Sequence, residues 1–228
     1  YGNNDLRRVK TDRKDAVKLA NYGLDRWLTL PRYVPEENTR LLLKNCYRQY
    51  RQYSKVQTVL KNNLISLLDM TFPNANRLFV SPARADGSEK WVDFVAEFWH
   101  CECVSERSLK SFVNKYWRWC RKHGYNFSEE KAHAIYDEAS GHIGVMPKSE
   151  TTKLLVEQAV SQLSATSAAL AALKQEMQSL SSQLPEYPVV MGMFGVGPIL
   201  GPQLIAEIGD VRRFRSEERR VGKECRSR

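Results

Sequence analysis

Residues 156–184 read VEQAVSQLSATSAALAALKQEMQSLSSQL, with apolar side chains at every seventh position: Val156, Leu163, Leu170, Met177 and Leu184. Ala159, Leu173 and Leu180 supply much of a second stripe. A heptad repeat held from Val156 to Leu184 predicts a helix that buries a narrow seam against another helix, as in a coiled coil. The helix starts at Ser149 or Thr151 and runs to about Leu184, and Pro185-Glu186-Tyr187-Pro188 ends it. Ala165, Ala168, Ala169, Ala171 and Ala172 are small enough to let a second helix come close. The polar face is rich in Gln and Ser and poor in Lys and Arg, which argues against a membrane-surface helix.

Working outward, a second long helix is predicted from Pro35-Glu36-Glu37 to about Met70. It opens with proline and acids, as the helix dipole prefers, and holds no internal Gly or Pro. Cys46, Tyr53, Leu60 and Leu67 recur every seven residues, with Leu43, Tyr50 and Leu64 beside them. Arg40, Lys44, Arg48, Arg51, Lys55 and Lys61 fall on the rest of the helix. Its tyrosines either pack along the seam or stack on bases from among the arginines. The two long helices pair with each other as a hairpin around the intervening block, or each pairs with its copy in a second subunit. The pattern leaves both open.

The intervening block reads as a helical unit. Phe72 to Ser88 is a turn-rich link through Pro73-Asn74-Ala75-Asn76 and Pro82 to Gly87. Trp91, Phe94, Val95, Phe98 and Trp99 mark one helix. A second is predicted from Val104 to Cys120, with Leu109, Phe112, Val113, Tyr116 and Trp117 at helical spacing. Lys122 to Asn126 breaks it, and Ser128-Glu129-Glu130 caps a third that runs to about Ala139. The large aromatics are most simply core. His100 with Cys101 and Cys103 lacks partner ligands at CxxC spacing, and Cys120 and His123 lie a helix away, so zinc is not expected. Gly141-His142-Ile143-Gly144 is a turn and not a phosphate loop, because no GK[ST] follows.

Lys and Arg exceed Asp and Glu, 35 against 26, which favours a polyanionic partner. Residues 211–228 contribute five of those nine units of surplus. Five cysteines, Cys46, Cys101, Cys103, Cys120 and Cys225, in a basic chain without a signal peptide read as a reduced, cytoplasmic protein. No run approaches the roughly eighteen apolar residues a membrane helix needs.

The stretch that looks most like chemistry is Lys10-Thr11-Asp12-Arg13-Lys14-Asp15-Ala16. Thr11 or Asp12 can cap a helix from about Arg13 to Asp25, with Val17, Ala20 and Leu24 on its apolar face. Asp12 and Asp15, three residues apart, lie on one side of that helix and can converge on a hard cation such as Mg²⁺. Two-metal sites hold such ions beside a scissile phosphate, though they draw carboxylates from several elements. The alternative is that Asp12 caps the helix and Asp15 pairs with a nearby base.

The run Val9 to Ala16, continuing through Lys18-Leu19-Ala20, resembles the second half of the acidic catalytic motif of the IS110-type transposases. That resemblance implies an RNase H-like, resolvase-like amino-terminal domain, with the family's third and fourth acids at Asp12 and Asp15. It implies that the first acid and the glutamate lie upstream of Tyr1. With no initiator methionine, this leads us to expect an internal fragment. The implied function is excision and insertion of a mobile element through Mg²⁺-dependent DNA cleavage and rejoining. Asp12 and Asp15 would be catalytic metal ligands, and Arg13 and Lys14 would steer phosphate. The implied partners are DNA, a structured guide RNA in at least part of the family, and further copies of the chain through the coiled coil.

A second motif lies beyond the heptads. Val189 to Pro198 holds an apolar segment and a Gly195-Val196-Gly197 turn, followed by an apolar helix with Leu200, Leu204, Ile205 and Ile208. It resembles a helix-hairpin-helix, whose glycines turn tightly and expose amides to a DNA phosphate. It is equally an ordinary packing turn. Phe194 to Phe214 also looks like the opening of the carboxy-terminal domain of the same family. Gly201 stands where alanine is common, a change expected to loosen the helix crossing. The family's catalytic serine is expected downstream of Phe214. No serine of this chain matches its motif, Ser216 and Ser227 included. Residues after Arg215 read either as translated vector sequence or as a basic tail.

The expected architecture is mainly α. Residues 1–30 would be the end of an RNase H-like domain, 31–148 a helical block and 149–185 a coiled-coil helix. Residues 186–215 would begin a helix-hairpin-helix-like domain, and 216–228 would be a non-native tail. The rival from another class is a non-catalytic helical module that binds nucleic acid or partner helices, with Asp12 merely capping.

Overall fold

The long helix predicted from Ser149 or Thr151 forms as α7, Glu150–Ser182, and Ser149 caps it by accepting the Thr152 amide. Its partner is α2, Asn38–Thr71. This computed structural model describes residues 12–28 and 37–211. The chain divides into two units, residues 1–37 and 38–228. Within the first unit lies α1, Asp12–Arg26. The second holds α2, a helical block, α7 and two short helices, with no strand among the described residues.

α2 and α7 run antiparallel within one chain. Gln57 Nε2 donates to Ser167 Oγ at 2.9 Å near mid-length, and the start of α2 meets the end of α7. The heptad residues Val156, Leu163, Leu170, Met177 and Leu184 are all buried. The hairpin arrangement is therefore the one adopted, and the seam is covered without a second copy. On α2 the fully buried line is Leu43, Leu64, Leu68 and Thr71, while Cys46, Tyr50, Tyr53, Leu60 and Leu67 flank it half-buried. Ala165, Ala168 and Ala172 are exposed, so they do not mediate the approach.

Each end of the hairpin carries a core. At one end Leu64, Leu68, Val156, Val160 and Leu163 pack against the block between the long helices. That block comprises α3, Lys90–Glu97; α4, Glu102–Ser105; α5, Leu109–His123; and α6, Glu129–Gly141. At the other end Leu43, Met177, Leu180 and Leu184 pack against α8, Tyr187–Met191, and α9, Leu200–Ile208.

Four expectations need correction. The continuous helix from Val104 to Cys120 is two helices. Ser108 adopts an extended backbone and accepts the Ser111 amide, and this local cap ends one helix and starts the next. The link from Phe72 is more than a surface turn: Phe72, Ala75 and Leu78 are core, around a short 3₁₀ turn at Ala75–Arg77. No acid stands in the first turn of α2, because the helix begins at Asn38, after Glu37. Arg40 is not on a solvated face but is 6% exposed, paired with Glu186.

His100 is buried and structural. Its Nδ1 accepts the Glu102 amide at 3.2 Å, and its Nε2 faces the Met146 carbonyl at 3.0 Å, which fixes the proton on Nε2. Both ring nitrogens are thereby used within the protein. Burial pushes the Cys103 and Cys120 thiols up, the reverse of what metal ligation or nucleophilic attack needs.

Candidate nucleic-acid and metal site

Asp12 and Asp15 occupy the first turn of α1, where carboxylates favour the positive end of the helix dipole. Both are exposed, and their spacing puts them on one side of the helix. Lys18 approaches Asp15 to 3.7 Å and competes for it. Arg13 is exposed beside them; Lys14 is helical, and its side chain lies outside the described residues, as does Thr11. The apolar positions Val17, Leu19 and Leu24 are exposed too.

The pair suits a hard cation in kind, since both donors are solvent-facing carboxylate oxygens. It falls short in number. No group of three or more His, Cys, Asp or Glu that could hold a metal occurs among the described residues. Any further ligands must be water or groups from elsewhere.

The segment after the heptads forms α8, a turn and α9. Val196 N–H donates to the Met193 carbonyl at 3.1 Å, and the Gly201 amide reaches the Gly197 carbonyl at 2.9 Å. Gly195 sits at φ +80°, which a side chain resists by about 1–2 kcal/mol, so the turn requires glycine there. A Cβ at Gly197 would meet nothing within 4 Å, so packing does not demand glycine there. Gly201 does not loosen the crossing but tightens it. It is buried, and a Cβ there would come within 2.6 Å of Met191 Sδ.

At the turn, Met193 and Phe194 are exposed, with Val189, Ile199 and Leu200 around them. No Lys or Arg occurs from Gln175 to Val211, a stretch that contains Glu176, Glu186, Glu207 and Asp210. A phosphate contact by this hairpin would therefore rest on backbone amides alone. Residues 212–228, including Ser216 and Ser227, lie outside the described residues.

Sequence reasoning overlooked the outer face of α5. Arg107, Lys110, Arg118, Arg121 and Lys122 are exposed there, and no Asp or Glu occurs from Arg107 to Ser128. The missed signal was that acid-free run.

Comparison with known proteins agrees with the two ends of the chain. A transposase model of the IS110 DEDD type matches residues 1–73, which include the acid pair. The model described as Transposase IS116/IS110/IS902 family matches residues 187–221, which include the hairpin. No curated protein and no solved structure matches. Two models of one family, matched at the two ends in the order the motifs predict, support an IS110-family transposase.

Proposed function

We propose that Asp12 and Asp15 supply two carboxylates of a Mg²⁺ site at which the transposase cuts and rejoins DNA during excision and insertion of a mobile element. The observation that carries this reading is their exposure, side by side, on the first turn of a helix inside the family-matched segment. Mg²⁺ held there would neutralise charge on a scissile phosphate. Arg13 and Lys14 would draw the DNA backbone towards the acids. In this reading α1 is the closing helix of an RNase H-like domain, whose body would cover Val17, Leu19 and Leu24. The attacking serine and the other acids would come from outside the described residues. α8 and α9 would act as a helix-hairpin-helix, with Gly195 shaping the turn and Gly197 leaving room for a phosphate. A guide RNA and further copies of the chain would complete the assembly; because the heptad seam is occupied, the copies would meet through other surfaces.

The second reading, a non-catalytic nucleic-acid-binding module, is favoured by the Lys18–Asp15 pair and by the lack of a three-ligand metal cluster among the described residues. Excision of the element from a donor plasmid separates the two. Asp12→Ala and Asp15→Ala, each in the element-encoded transposase, are expected to lower excision at least about a hundredfold, since even outer-shell partners of metal ligands are worth 10–100-fold. Unimpaired excision with both replaced would overturn the reading. The 228-residue chain alone is expected to leave DNA uncut in Mg²⁺, because two carboxylates do not complete a site.

A further inference from the structure

Helix α5 has two faces of opposite character. Phe112, Tyr116, Trp119 and Cys120 are buried in the block. On the other side Lys110, Asn114, Trp117 and Arg121 follow one another at three- and four-residue steps, with Ser111, Arg118 and Lys122 alongside. These residues are exposed, and Arg107 extends the line beyond the helix start. Arg107, Lys110, Ser111, Asn114 and Arg118 help line a groove of about 580 Å³. It opens at the positive end of the α5 dipole.

The charges on this face are not spent within the fold. Among the described residues, Arg107, Lys110, Arg118, Arg121 and Lys122 form no ion pair. Arg121 lies over the Trp117 ring at 4.9 Å, which holds its guanidinium on the surface. Lys115, at the edge of the face, does pair, with Glu97 at 3.4 Å, and is left out of the stripe. The neighbouring groove, which Arg107 shares, instead mixes Glu97, Glu102 and Glu106 with Lys115, Lys148 and Lys153.

From Lys110 to Lys122 the stripe spans about 18 Å at 1.5 Å per residue, a length that reaches several phosphates of a duplex. Serine, asparagine and tryptophan between the cations add hydrogen-bonding and stacking groups and no negative charge. We propose that the outer face of α5 binds the phosphodiester backbone of a nucleic-acid duplex. This contact lies between the two family-matched segments, at residues neither covers. It does not depend on the acid pair, and it supplies the positive charge that the α8–α9 hairpin lacks.

Fluorescence anisotropy of the full chain with a 20-base-pair DNA duplex, and with an RNA duplex of the same sequence, tests it across a range of salt. Lys110→Ala/Arg118→Ala/Lys122→Ala is compared with Arg48→Ala/Arg51→Ala/Lys55→Ala on α2, and thermal unfolding monitors the fold of both. Each lost phosphate contact is expected to make the log–log salt slope shallower by about 0.9 on DNA. The α5 triple is therefore expected to flatten it by about 2–3 and to weaken binding at least about tenfold near 0.1 M salt. The α2 triple should change binding less. Arg118→Glu alone provides the same reading should the triple lose its fold. Whichever duplex binds more tightly names the source of the backbone. Wild-type affinity and slope in the folded α5 variants, or no binding by the wild type at low salt, would overturn the proposal.

Discussion

Arg40→Ala is expected to remove about 3–5 kcal/mol of folding stability, the range for breaking one side of a buried ion pair. Arg40 projects from the first turn of α2, and its guanidinium meets the Glu186 carboxylate in a two-pronged contact, with Nη2 at 3.0 Å from Oε2. Both side chains are largely sheltered, 5% and 13% exposed. The pair joins residues 146 apart in the chain, so it fastens the start of the hairpin to the segment that leads into α8. Alanine would leave a sheltered carboxylate without its main counter-charge. Its desolvation, more than the lost attraction, sets the size of the effect.

The pH dependence of that loss has a definite sign. Hydrogen bonds from Arg40 hold the Glu186 carboxyl below the usual carboxylate range. A depressed acid contributes stability that is fully present above its unfolded value, 4.5, and is lost as pH falls through the folded value. The wild type should therefore weaken on acidification, whereas in Arg40→Ala protonation of Glu186 relieves the stranded charge. Urea unfolding at pH 7 and below pH 4 should show the gap between the two proteins narrowing in acid. An unchanged gap would contradict the pairing, and a double replacement, Arg40→Met with Glu186→Leu, should recover much of the loss.

Trp119→Ala is expected to cost about 3–5 kcal/mol, centred on the opposite end of the hairpin. Trp119 is 2% exposed and sits among Phe94, Tyr116, Tyr125 and His123, with ring centroids 5.2 to 5.6 Å away. Phe79 and Phe98 complete its surroundings at 6.4 and 6.5 Å. Its indole N–H meets no acceptor among the described residues, so the replacement forfeits packing and not a hydrogen bond. The rings arrive from the loop before α3, from α3 and the residue that ends it, from α5 and from the loop after it, hence the cavity cannot close by the movement of one element. Denaturant unfolding followed by far-ultraviolet circular dichroism measures the loss. A change under about 1 kcal/mol would mean that the aromatic cluster is not the core of the block. Trp119→Phe should lose less, because it keeps a ring in contact with Phe94 and Tyr116.

The heptads of α7 were legible because periodicity reports which face of a helix is buried. Val156, Leu163, Leu170, Met177 and Leu184 all proved to be inside. Periodicity cannot say whose helix covers the face, which is why the pairing with α2 required the structure. Arg40 was misread for a related reason: a lone arginine among basic neighbours looks solvated, and its partner lies far along the chain. Ser108 split an apparently continuous helix because a side-chain cap competes with the next turn, a contest that apolar spacing does not register. On α5 the aromatics drew the reading to the buried face and away from the basic one. The acid pair was legible as a motif, since residue type and spacing carry it. What the described residues do not contain is a group of three or more His, Cys, Asp or Glu that could hold a metal.

Intramolecular pairing of α2 with α7 carries the rest, because both cores and the placement of the α5 face depend on it. A photo-crosslinking benzoyl-phenylalanine at position 57, facing Ser167, reports on it directly. Isotope-labelled and unlabelled chains would be mixed and refolded together before illumination, and the linked α2–α7 peptides weighed by mass spectrometry. Peptide pairs of matched isotope are the expected result. Mixed pairs at the statistical half would show that each helix takes its partner from another copy, and would contradict the hairpin.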